Sequence, residues 1–113
     1  MKISIVAYPE TLRSVAYGSI TNSYAALGSV LSAPARMFRI INATNGDMLI
    51  SLDGTNNHFF LTAGSFVLYD LCANRVQQGT SFELVKGTQF YIKYSSAPSS
   101  GSVNIEVIYG RGE

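Results

Sequence analysis

The chain has 113 residues, a net charge of +1, 47% hydrophobic residues and only 13% charged ones. That length makes a single domain burying roughly 60–70% of its unfolded surface; the apolar content excludes a disordered chain, and the near-neutral balance argues against a free-standing nucleic-acid binder, which carries a basic excess. One cysteine rules out a disulfide scaffold, and no apolar run approaches the roughly 18–20 residues of a membrane-spanning helix.

In chain order, the first apolar run is Ile3 to Ala7, closed by Tyr8-Pro9-Glu10. It is too short for a secretory signal. Residues 1–11 are expected to form an added strand, or an arm that docks on another subunit, ahead of a single sandwich domain over 12–113. Leu12–Gly18 can form a strand through Val15 and Tyr17. Ser23–Leu27 (SYAAL) has helix-like small residues but spans under two turns, so it is expected as an extended or single-turn segment.

From here the pattern is clearer. Seven segments read as strands: RMFRIIN (Arg36–Asn42), DMLISL (Asp47–Leu52), NHFFLT (Asn57–Thr62), SFVLYDL (Ser65–Leu71), SFELV (Ser81–Val85), TQFYIKY (Thr88–Tyr94) and SVNIEVIY (Ser102–Tyr109). Each combines period-two alternation with β-branched and aromatic residues. Asn45-Gly46, Asp53-Gly54, Ala63-Gly64, Lys86-Gly87 and Pro98-Ser99-Ser100-Gly101 supply turn residues between them. Turns spaced about 8–12 residues apart predict an all-β fold, an antiparallel sandwich or small barrel.

A sandwich strand is ordinarily apolar on one face only. Here, if Met48, Ile50 and Leu52 face in, Leu49 faces out; if Phe59 and Leu61 face in, Phe60 faces out. The same reasoning places Val67 and Tyr69 outside opposite Phe66 and Leu68, Tyr91 outside opposite Phe90 and Ile92, and Ile108 outside opposite Val107 and Tyr109. Either the chain's own loops cover these residues, or neighbouring subunits do. Scarce charge and doubled apolar faces together favour assembly. The expected partner-contacting residues are Ile3, Ile5, Tyr8, Arg36, Arg39, Leu49, Phe60, Val67, Tyr69, Tyr91 and Ile108. Met1–Ala7 and Arg36–Asn42 are the segments expected to serve as edge strands that add to a partner's sheet.

The inventory for chemistry is thin. His58 has no second His or Cys at metal-binding spacing. Cys72 follows the apolar Val67–Leu71 stretch with no evident base, which fits a half-buried structural thiol. Asp47, Asp53, Asn56 and Asn57 form a loose calcium-like cluster, but turn formation explains them. There is no phosphate loop and no G-x-S-x-G elbow. No catalytic residue, cofactor or metal is expected, and the expectation is a non-enzymatic protein. Arg36 and Arg39, flanking Met37-Phe38, would pair with acidic neighbours or guard a strand edge.

Five stretches in succession carry a resemblance: RSVAYGSIT, SAPARMFRIINAT, ISLDGTNNHFFLTAGSFVLYDLCAN, KGTQFYIKY and APSSGSVNIEVIYG. Together they span most of Arg13–Gly110, and their order resembles small virion structural proteins of tailed bacteriophages, of the capsid decoration or cement type. The resemblance implies a sandwich, jelly-roll-like, of about eight short strands. It further implies a virion protein, made in the host cytoplasm, that staples neighbouring subunits of the major capsid protein. Self-association on the particle is expected, without nucleic acid or membrane as partner. A head–tail adaptor, stopper or tail protein fits the same size and class. A receptor- or glycan-binding module is a further alternative, because the seven tyrosines suit sugar stacking.

Overall fold

A computed structural model describes residues 5–71 and 83–112. Among them lie β1 (Ile5–Pro9), β2 (Arg13–Ala16), a 3-10 turn (Tyr17–Ser19), β3 (Ala25–Leu27), β4 (Ala35–Asn42), β5 (Met48–Ser51), β6 (Phe59–Leu61), β7 (Phe66–Asp70), β8 (Phe90–Tyr94) and β9 (Ser102–Gly112). SYAAL is therefore extended, through β3. Of the expected segment Ser81–Val85, Ser81 and Phe82 lie outside the described residues, and Leu84 forms an isolated antiparallel bridge to Ala35. Ile3 and Cys72 also lie outside them, as does the side chain of Ile5.

The strands form two antiparallel sheets, in the orders β1-β9-β4-β7, with β2 also on β9, and β3-β8-β5-β6. The pairings β2·β9, β3·β8, β4·β7 and β5·β6 are nested, as in one long hairpin. Rolling that hairpin up closes β4 onto β9 and β5 onto β8. This is a jelly roll of eight strands with β1 added.

β1 and β2 run one after the other along the same edge of β9. Pro9 lies opposite Ile108 and Arg13 opposite Ile105, so four steps on one side match three on the other. The surplus residue bulges the chain at Glu10–Leu12. The N-terminal strand thus pairs with its own chain's sheet.

The core lies between the sheets, from Leu27, Leu31, Phe38, Ile40, Met48, Ile50, Leu61, Phe90, Ile92, Val103, Ile105 and Val107. The inward sets expected on β5, β6, β8 and β9 are found there or packed against it, except Tyr109, which lies outside the core and stacks on Tyr8. Phe38 is central, with its ring 5.7 Å from Phe90, 6.1 Å from Phe59 and 5.2 Å from Tyr69.

Two expectations are corrected. β4 is no edge strand: it is flanked by β9 and β7. On β7 the register is inverted, because Val67 pairs with Ile40 and Tyr69 with Phe38, both buried. Val67 packs against the core, while Phe66 and Leu68 point outward. The segment FVLYD is apolar on both faces, so its alternation permitted either register; pairing with β4 decided it.

Candidate interaction face

Cross-strand register builds the outer face of the larger sheet row by row. Met37 lies beside Ile108, Arg39 between Leu68 and Glu106, and Ile41 between Phe66 and Asn104. Phe66 and Leu68 are 62% and 54% exposed. Met37, Ile41 and Ile108 are half-buried. A shallow groove of about 180 Å³ runs between Met37, Arg39, Leu68, Glu106 and Ile108, with Phe38 at its floor.

One ion pair crosses this apolar surface. Arg39 Nε donates to Glu106 Oε1 at 2.6 Å. That hydrogen bond raises the Arg39 pKa and lowers that of Glu106. The Arg39 guanidinium also lies 5.7 Å from the centre of the Phe66 ring. Each charge is thus matched within the chain, and the pair presents a neutral, largely apolar surface.

The outer face of the smaller sheet is dressed differently. Leu49 lies beside Phe60 and Lys93, and Tyr91 beside Ala26 and Ser51. Phe60 is 57% exposed, but Tyr91 is half-buried because the β5–β6 loop folds over it. Gly54 (φ +79°) lies against the Tyr91 ring, where a Cβ would come within 3.4 Å. Asp53 knits this loop by accepting from the backbone N–H groups of Thr55 and Asn56, the Asn56 amide and the Ser51 hydroxyl. Those bonds, the two backbone ones foremost, hold its carboxyl well below the usual range. His58 Nδ1 accepts from the Leu52 N–H at 2.9 Å and so ties the loop's other end. Lys93 caps the Tyr24 ring at 4.6 Å, and the Tyr24 hydroxyl donates to Asn57 Oδ1 at 2.6 Å.

The loose Asp/Asn cluster is therefore split. Asp53, Asn56 and Asn57 belong to this loop, whereas Asp47 Oδ1 accepts from the Ala63 N–H at 3.0 Å. Among the described residues no three His, Cys, Asp or Glu side chains gather in a metal-binding arrangement.

Of the expected contact residues, Arg39 and Ile108 share the outer face of the larger sheet, and Leu49, Phe60 and Tyr91 that of the smaller. Arg36 lies at the shifted end of β4, 3.9 Å from Glu83. Tyr8 stacks on Tyr109 at 5.7 Å. Tyr69, expected outside, lies on the inner side of β7 against Phe38 and Phe59, yet at the sheet edge it stays 37% exposed. Phe66 and Leu68, the exposed large apolar residues of β7 on the larger face, are the pair that the sequence places inside in one register and outside in the other. Only their equal fit to either register could have flagged them.

Sequence reasoning also missed two buried polar knots. Arg13 and Glu10 pair at 2.7 Å, with side chains only 4% and 6% exposed. Arg13 further donates to the carbonyls of Ser29 and Val30, and Glu10 accepts from the N–H and hydroxyl of Ser32. Beside the pair is a cleft of about 350 Å³ bordered by Pro9, Val30 and Tyr109. Burial pushes the Glu10 carboxyl up, but the bonds from Arg13 and Ser32 outweigh it and set its pKa below the usual value. In the second knot, buried Asn42 donates to the carbonyls of Gly46, Leu61 and Thr62 and accepts from Thr44.

No family model matches the chain, and no curated protein matches it.

Proposed function

We propose that this chain is a non-enzymatic structural protein that acts by packing the outer face of its larger sheet against neighbouring subunits. The observation carrying this reading is the row Phe66, Leu68, Met37, Ile41 and Ile108 on one sheet face, two of its members more than half exposed. Contiguous apolar surface of this kind marks interaction sites on soluble proteins. The Arg39 and Glu106 charges offset each other in the middle of this row, and Asp70 stands beside Met37 at its end. A rigid jelly roll presents the face with little ordering cost on binding.

Joined to the sequence resemblance, the reading becomes specific: a decoration protein on a tailed-phage virion, with the major capsid protein as its partner. A protein that binds only the assembled lattice stabilises it by mass action, and many modest contacts combine on a symmetric shell.

The test is binding of purified chain to virions and to shells lacking it. Saturable binding at many copies per shell is expected. The double substitution Phe66→Ser and Leu68→Ser should weaken it by about tenfold or more. Absence from virions, together with no binding to capsid or tail components, overturns the proposal. A ring-sized copy number assigns the chain to the head–tail junction instead.

A further inference from the structure

The sheet edges are not equally protected. Among the described residues, the smaller sheet ends in β3 and β6, each only three residues long. At one end of the larger sheet, the β1–β2 edge contains Pro9 and the register slip, and Arg13 is turned into the interior. Short strands, proline and bulges are the usual devices that stop sheets from joining edge to edge. β7, at the other end, has none of them. It is five residues long, pairs with β4 in unbroken register, and reads FVLYD, without Pro, Lys or Arg.

Its hydrogen-bond parity is defined. The Ser65 carbonyl accepts from the Asn42 N–H at 2.8 Å. In an antiparallel ladder alternate residues bond to the same neighbour, so Val67 and Tyr69 turn their backbone groups to β4. Phe66 and Leu68 turn theirs outward, away from the sheet.

We infer that β7 is a self-pairing edge: two copies of this chain join antiparallel through it, about a two-fold axis at Val67. In that register Phe66 lies opposite Leu68 of the second copy, and Leu68 opposite its Phe66. The outward N–H and C=O groups of both residues are then paired across the junction. Four exposed apolar side chains meet on one face, and the two larger sheets become one. The occupant is a second copy because the pattern is its own complement. The strand carries no charge from Phe66 to Tyr69 that would select a differently charged partner. This contact is independent of any virion and goes beyond the function proposed above.

The test is sedimentation of the full chain over a wide concentration range. A reversible monomer–dimer equilibrium is expected. Leu68→Pro removes an outward N–H that β4 does not use, and should raise the dissociation constant by about tenfold or more. Leu68→Lys, at a solvent-facing position, should do the same while leaving the fold intact should the proline variant misfold. In a Cys72→Ser background, the pair Phe66→Cys and Leu68→Cys should cross-link the dimer under mild oxidation. A chain that stays monomeric, a dimer indifferent to both Leu68 variants, or a dimer that does not cross-link overturns the inference. A monomer that still binds shells through Met37 and Ile108 overturns it while sparing the proposed function.

Discussion

The outer face of the larger sheet and the buried knots around Arg13 and Asn42 invert the usual order. Phe66 and Leu68, apolar, stand in solvent, while a charged pair and an amide are sealed inside. The inversion shows where this fold has unmet needs. Around the Glu10–Leu12 bulge and the turn after β4, backbone groups of Ser29, Val30, Ser32, Gly46 and Leu61 take their partners from the side chains of Arg13, Glu10 and Asn42. On the sheet face the ladders serve the backbone of the central strands β4 and β9 from both sides, so side chains there are free to be chosen for what they touch outside.

That contrast can be broken at either end, and the largest effects lie inside. Glu10→Ala leaves the Arg13 charge buried without its carboxylate, and should cost about 4 kcal/mol in urea unfolding at pH 7. If the loss is under about 1 kcal/mol, the knot is not structural in the sense argued here. Asn42→Leu keeps the volume but abandons three carbonyls and the Thr44 groups. It should cost about 3 kcal/mol by the same measurement.

Acid sharpens the first of these. The folded pKa of Glu10 lies below its unfolded value of 4.5. Its contribution is therefore fully present above that pH, and is lost as pH falls through the folded value. Stability of the parent protein should decline below pH 4.5 more steeply than that of Glu10→Gln, which has no carboxyl to titrate. Equal slopes would show that other acids, Asp53 and Glu106 among them, carry the acid response.

The smallest effect on stability belongs to the outer face. Phe66→Ser and Leu68→Ser should each change unfolding free energy by no more than about 0.5 kcal/mol, because both side chains already face solvent. Their effect should be read in self-association and subunit binding instead. A large stability loss would show that this face is sustaining the monomer rather than awaiting a partner.

The strands of β4, β8 and β9 were legible because their inward residues alternate with Arg39, Lys93 or Glu106. FVLYD was not, since nothing polar before Asp70 marks an outside. Tyr91 read as an outward aromatic, which it is, but the loop that shelters it is held by Asp53 and Ser51 in a way no alternation reports. Asn45-Gly46 read as a turn with positive φ, whereas Gly46 does not adopt one; glycine is needed there because the Ser96 carbonyl and Pro98 backbone press against it. The burial of Arg13, Glu10 and Asn42 was not legible, because they are held by partners up to 22 positions away in the chain.

Residue order alone determined a chain of short antiparallel strands, their turns, and most of the side chains available to a core, because local sterics and period-two patterning act over a few neighbours. Only the folded roll decided which face of β7 looks inward, that β4 is central, which strands end the sheets among the described residues, and which polar groups are swallowed. Those outcomes depend on contacts between segments far apart in the chain, and a two-faced apolar strand takes its orientation from whatever packs beside it.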